Sequence, residues 1–316
     1  MFTLQLRIAL QPTQANHRFY DDWIIRNKVN WVRLYKYVTA DRIDILKKGC
    51  IRFSSPKALN DPFELCPHIA QVSGGGSIDG AQVQKYNNVL REHFLSPRRE
   101  NSGLEFPASL LRSAIESPDI AERDFMLERF LATVVQHKFQ DGLNQTIGIL
   151  CLSERPDSLL MWSHYADAHQ GFVIEFDSDT PFFDQRITIS DELRHLRKVV
   201  YEKKRPSLGL MNLTSTALFL TKSEEWSYEL EWRMLMPLDQ ACEIRSSTQG
   251  MVHLFEFPKN SIKRLIFGCR MTEQKKQEIK EILFSESAYT HVTVTQSVLD
   301  EEHYSLNLLE IPLSGL

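Results

Sequence analysis

No C-x-x-C pair occurs among the five cysteines (Cys50, Cys66, Cys151, Cys242, Cys269), and their number is odd. Neither a disulfide framework nor a zinc ribbon is indicated, and reduced thiols are expected. No apolar run approaches the roughly 20 residues needed to span a bilayer. The start, Met1 to Pro12, is interrupted by Gln5 and Arg7 and lacks a small-residue cleavage site, so no secretory signal is expected there and the cytoplasm is the expected compartment. Glycine is sparse, 13 residues in 316, and four of these fall in 72 to 80 (VSGGGSIDG). The pattern G-x-x-x-x-G-K is absent, so that stretch reads as a loop rather than a phosphate cradle. Neither sign of charge dominates: 37 Lys and Arg face 41 Asp and Glu, a formal net charge of -4. That balance carries no global nucleic-acid signature. The basic stretch Arg194, Arg197, Lys198, Lys203, Lys204 and Arg205 reads either as a local patch or as a solvated face beside a strand.

What is present is the balance of a folded protein, 42% hydrophobic and 25% charged residues. A strand (WVRLYKYV), a short helix (ADRIDILKK) stopped by Gly49 and a strand (CIRFSS) ended by Pro56 open the body. Helical spacing of Val83, Tyr86, Leu90 and Phe94, then of Met126, Phe130, Leu131, Val134 and Val135, predicts a helical insertion over 81–140. TIGILCLS and GFVIEFD read as strands flanking a helix at 158–165. Further strands are expected at 197–202, 228–236, 251–257, 263–268, 291–297 and 305–311, with helices at 207–220 and 272–284. Strands and helices alternate without a regular βαβ period. The fold class expected is therefore α+β, with mixed or antiparallel sheets and helices packed around them. The organisation expected is an arm over 1–30 and one domain over 31–316 carrying the insertion.

Three polar blocks hold the candidate site residues. In LYKY, strand periodicity puts Tyr35 and Tyr37 on one face and Lys36 on the other, pointing into a cleft or to solvent. The block continues through Ser54 and Ser55 to Asn60-Asp61-Pro62, a turn closed by an Asx side chain onto its own backbone. In the second block, Trp162 and Tyr165 share a helix face that suits either a flat ligand or a core, and His164 lies on another. His164 and His169 are five apart, which misses the helical spacing of a zinc pair, and no metal is expected. In the third block, a strand beginning near Tyr228 projects Glu229, Glu231 and Arg233 from one face. This row is either an ion-pair ladder or the wall of a cleft that holds a sugar hydroxyl or opposes a developing positive charge. Acid and base side by side on one strand do not suit ordinary glycoside hydrolysis.

Taken together, LYKY…ILKKGCIRFSSPKALNDPFE, LCLSERPDSLLMWSHYADAHQGFVIEFD, TKSEEWSYELEWRML and SIKRLIFGCRM resemble the bacterial family catalogued as domain of unknown function 2971. A weaker likeness is to mono-ADP-ribosyltransferases, in the order of an aromatic-basic strand, a strand with serine and a late E-x-E. That likeness implies NAD as cofactor, with Lys36 where a histidine or arginine grips the ribose and Ser54 or Ser55 in the second position. Glu231 would be the catalytic glutamate and Glu229 would orient a protein or nucleic-acid acceptor. Trp162 or Tyr165 would stack on a ring, and Arg233, Asn60 and His164 would fix phosphates or ribose; Tyr35 and Asp61 complete the candidate set. Two other functions compete. A metal-dependent nucleic-acid-processing protein of a defence or toxin type would use Asp61, Glu64 and Glu231 as ligands. A non-catalytic binding module would have no concave polar pocket.

Overall fold

The computed structural model describes residues 32–66, 68–71, 119–209, 217–248 and 250–312. The expected N-terminal arm, the glycine-rich loop and the helices proposed between 81 and 118 lie outside them. The described residues of 32–65, 142–205 and 217–312 form one compact unit; those of 66–141 and 206–209 belong to a second.

Strand β1 (Arg33–Val38) runs through a 3-10 turn into helix α1 (Asp44–Lys48) and strand β2 (Cys50–Phe53). Gly49 ends α1 with φ 65°, a left-handed conformation that costs glycine nothing. β3 (His68–Gln71) belongs to the second unit, where it pairs in parallel with β8 (Ser207–Gly209). The sequence reading had put residues 207–209 at the start of a helix; ladder pairing with β3 takes them into a strand instead. Helix α2 (Ile120–Thr146) leads into β4 (Ile147–Ser153), and Ser158 caps α3 (Leu159–Tyr165) by accepting from the Met161 N–H. β5 (Phe172–Asp177), β6 (Leu196–Lys198) and β7 (Val200–Glu202) follow, then α4 (Ala217–Leu220) and β9 (Thr221–Ser223). A 3-10 turn at Glu224–Glu229 precedes β10 (Glu231–Pro237), and the chain continues with β11 (Glu243–Ser247) and β12 (Gly250–Glu256). β13 (Ile262–Phe267), α5 (Glu273–Ser285), β14 (Thr293–Leu299) and β15 (Leu306–Ile311) complete it.

The fold is α+β. Its main sheet has eight strands in the order β15-β14-β13-β5-β1-β4-β10-β6. All neighbours are antiparallel except β13 and β14, which are joined through α5 as a parallel pair requires. β4 and β5 are almost wholly buried, which is why they read as unbroken apolar runs. One core packs Leu34, Leu150, Ile174 and Met234 with Ile279 and Leu283 of α5; a second gathers Tyr35, Tyr37, Met161, Trp162, Val173 and Ile266.

Two features open space for a site. β1 and β4 pair only at Tyr35 and Ser153, whereas β1 and β5 stay paired along all six residues from Arg33 to Val38. In addition, the three-stranded sheet β11-β12-β2 meets β4 through a bridge between Ser54 and Ile149. Gly148 permits this approach, because a Cβ there would sit 2.7 Å from Leu238 Cδ2 and 2.9 Å from Phe53 Cβ.

Candidate functional site

Where β1 and β4 part, the Cys151 carbonyl takes its hydrogen bond from Lys36 Nζ, at 2.9 Å. Lys36 thus lines a cavity of about 200 Å³ walled also by Ser54, Asn60, Tyr165, Lys222, Glu229 and Glu231. Residues from all three sequence blocks are present, and Tyr35 and Tyr37 line it as well.

The cavity wall is backed by a buried charge cluster. Arg233, fully buried, donates from Nε to Glu231 Oε1 at 2.8 Å, from Nη2 to Glu231 Oε2 at 3.0 Å and from Nη1 to the Phe219 carbonyl at 2.9 Å. It also pairs with Glu64. Lys222 Nζ reaches Glu229 Oε2 at 2.5 Å, Glu231 Oε2 at 3.0 Å and Glu64 Oε1 at 3.7 Å. Tyr165 donates its hydroxyl to Glu229 Oε1 at 2.7 Å and accepts from Asn60 Nδ2 at 3.0 Å. The backbone is held too: Ser153 Oγ donates to the Glu229 carbonyl, and the Glu231 N–H donates to the Tyr201 hydroxyl. Three carboxylates (Glu64, Glu229, Glu231) and two cations (Lys36, Lys222) therefore line the cavity, with Arg233 behind them.

Burial raises the Glu231 carboxyl above its ordinary range, and Lys222 opposes that rise. For Lys222, burial alone would lower the ammonium, yet Glu231 and Glu229 raise it above its usual value. Burial pulls Arg233 down to about 9, still above neutral pH, so it remains a cation. Lys36 is lowered by burial, with Glu231 partly restoring it, and burial lifts the Tyr165 hydroxyl and the Cys151 thiol.

Several sequence expectations need correction in detail. Glu229 does not sit on the strand with Glu231. It ends the 3-10 turn, and Leu230, with φ 44°, breaks the extended backbone between them; Lys222 is what brings the two carboxylates together. Arg233 is sealed under Glu231 and Glu64 and does not line the cavity. Trp162 is also out of reach, fully buried edge-on to Tyr37 with its indole N–H on the Pro156 carbonyl. His164 is exposed and meets Trp226 edge-on, and Ser55 sits before the turn at Pro56–Ala58; neither lines the cavity. Asp61 closes the expected Asx turn by accepting from the Phe63 N–H at 2.8 Å. In the basic stretch, Arg194, Arg197, Lys198 and Lys203 each hold an acidic partner. Lys222 was missed, although it stands in the third block; a lysine within seven residues of three glutamates was the available signal.

Residues 161–234 match the family described as protein of unknown function (DUF2971). The matched segment runs from α3 through β5 and Lys222 to Arg233, so it contains Tyr165, Glu229 and Glu231 but not β1 or Ser54. No curated protein and no solved structure matches the chain.

Proposed function

We propose that the cavity binds the ribosyl part of NAD and that the protein transfers ADP-ribose to a protein or nucleic-acid acceptor. The observation that carries this reading is the convergence of Lys36, Ser54, Tyr165, Glu229 and Glu231 on one small cavity that carries both carboxylates and ammonium groups. Such a wall offers donors (Lys36, Asn60) beside acceptors (Glu229, Glu231), as sugar hydroxyls require, since each both donates and accepts. At about 200 Å³ the space suits a ribose with its attached ring rather than a whole dinucleotide.

In the reaction, the bond between ribose C1′ and the nicotinamide nitrogen breaks, and its electron pair leaves with nicotinamide. Positive charge develops on C1′ and the ring oxygen, where the fixed Glu231 carboxylate opposes it. A nucleophilic atom of the acceptor then bonds to C1′ and gives its proton to Glu229. Lys36 would hold the ribose or a neighbouring phosphate oxygen.

The test is calorimetric titration with NAD of the wild type and of Lys36→Met. Binding by wild type, weakened about tenfold or more in the variant, supports the reading; no NAD binding by wild type defeats it. A second reading, a polyol-binding module without chemistry, is favoured by the engagement of both Glu231 oxygens with Arg233 and Lys222. It predicts NAD or sugar binding with no nicotinamide release. The nucleic-acid-processing alternative is disfavoured because Arg233 and Lys222 occupy both oxygens of Glu231 and bring two cations against Glu64 Oε1, where a metal would need free carboxylates.

A further inference from the structure

The Lys222 ammonium meets the carboxylates of Glu64, Glu229 and Glu231 and faces the Trp226 ring. Lys222 lies on the short strand β9, not on β10, and its side chain is about 3% exposed. Its ammonium touches Glu229 and Glu231 and stands 5.0 Å from the Trp226 ring. Burying an ammonium is costly unless hydrogen-bonded anions surround it, and burying two carboxylates side by side is costly unless a cation sits between them. Each group therefore makes the other tolerable in this place.

We propose that Lys222 is the positioning residue of this site: by clamping the Glu229 and Glu231 carboxylates on one ammonium, it keeps Glu231 an anion facing the cavity at neutral pH. This deepens the ADP-ribosyl reading and rests on it for its role in turnover, but the clamp itself can be measured without any ligand. Glu231 is faced by Lys222 from β9 and Arg233 from its own strand, and Glu64, from the turn before β3, lies against the same two cations. Glu229, the Cys151 thiol and the Lys36 ammonium act on it or are acted on by it as well, and the Tyr201 hydroxyl holds its backbone N–H. Among these, Lys222 is the cation that borders the cavity and contacts both Glu229 and Glu231, whereas Arg233 lies behind them.

The sign follows from charge. Removing an opposite charge at hydrogen-bond distance raises a carboxyl by about one pH unit or more, and removing the like charge of Glu229 lowers it. The experiment is a carboxyl-carbon NMR titration of the full chain, with glutamate labelled and the Glu231 signal assigned by its loss in Glu231→Gln. It is run on wild type, Lys222→Met, Lys222→Arg and Glu229→Gln. The Glu231 titration is expected to move up by about one unit or more in Lys222→Met, to return toward wild type in Lys222→Arg and to move down in Glu229→Gln. The acid limb of nicotinamide release should follow the same order. If Lys222→Met does not fold, Glu229→Gln and Lys222→Arg still decide: an unmoved Glu231 titration in Glu229→Gln overturns the clamp. Carboxyl shifts as stated without nicotinamide release leave the clamp standing and defeat the transferase reading instead.

Discussion

Two arginine-carboxylate clusters in this protein use the same chemistry in opposite surroundings. Arg233 grips Glu231 at 2.8 Å with the two side chains 0% and 4% exposed; Arg245 grips Glu243 at 2.5 Å and Asp44 at 3.1 Å, with Arg245 and Glu243 36% and 37% exposed. Water and salt can replace the partners of Arg245, but nothing apolar around Arg233 can replace Glu231 and Glu64. The exposed Arg245 arrangement is close to neutral for stability, because exposed pairs gain little in high dielectric. The buried Arg233 arrangement is a commitment: a buried pair adds little over an apolar replacement of the whole set, yet losing one member strands a charge in the interior.

The contrast is broken most severely by Arg233→Met. It leaves Glu231 and Glu64 on Lys222 alone and is expected to cost about 3–5 kcal/mol in urea unfolding; a loss no larger than that of a surface substitution would mean water already reaches the cluster. Glu64→Gln comes next. It keeps an acceptor near Arg233 but removes its charge, with an expected cost of about 1.5–3 kcal/mol in the same measurement. Salt sharpens the comparison further. At 1 M salt the screening length falls to about 3 Å, so any difference in melting temperature caused by Arg245→Ala should vanish while that of Arg233→Met persists. The smallest effect is on thiols. Cys50 and Cys242 lie with their Sγ atoms 3.9 Å apart, Cys50 buried and Cys242 exposed. Burial and the neighbouring thiol push Cys50 up to about 11, so alkylation at pH 8 should mark Cys242 first and Cys50 only slowly, as read by peptide mass.

The same split between local and distant determinants decides what the sequence could reveal. Elements with a local signal were legible: β4 and β5 as apolar runs, and α1 by its stop at Gly49. The partners of Glu231 were only half legible. Arg233 was expected beside it because a strand has a period of two, whereas Lys222 arrives from β9 through tertiary packing. Glu229 lines the cavity from a different element than expected, because Leu230 gives no hint of a left-handed backbone; leucine rarely adopts it. Trp162 and Tyr165 share a helix face by spacing, and only the indole bond to Pro156 and the phenol bond to Glu229 separate core from cavity. The parting of β1 from β4, which makes the cavity, depends on pairings between residues more than a hundred apart, and no local pattern encodes it.

The most direct test of the central claim is single-turnover release of nicotinamide from NAD by the wild type and by Glu231→Gln, with NAD binding measured on both. Release by wild type, and binding without release above the uncatalysed rate by Glu231→Gln, is the expected result. A wild type that neither binds NAD nor releases nicotinamide would contradict the account.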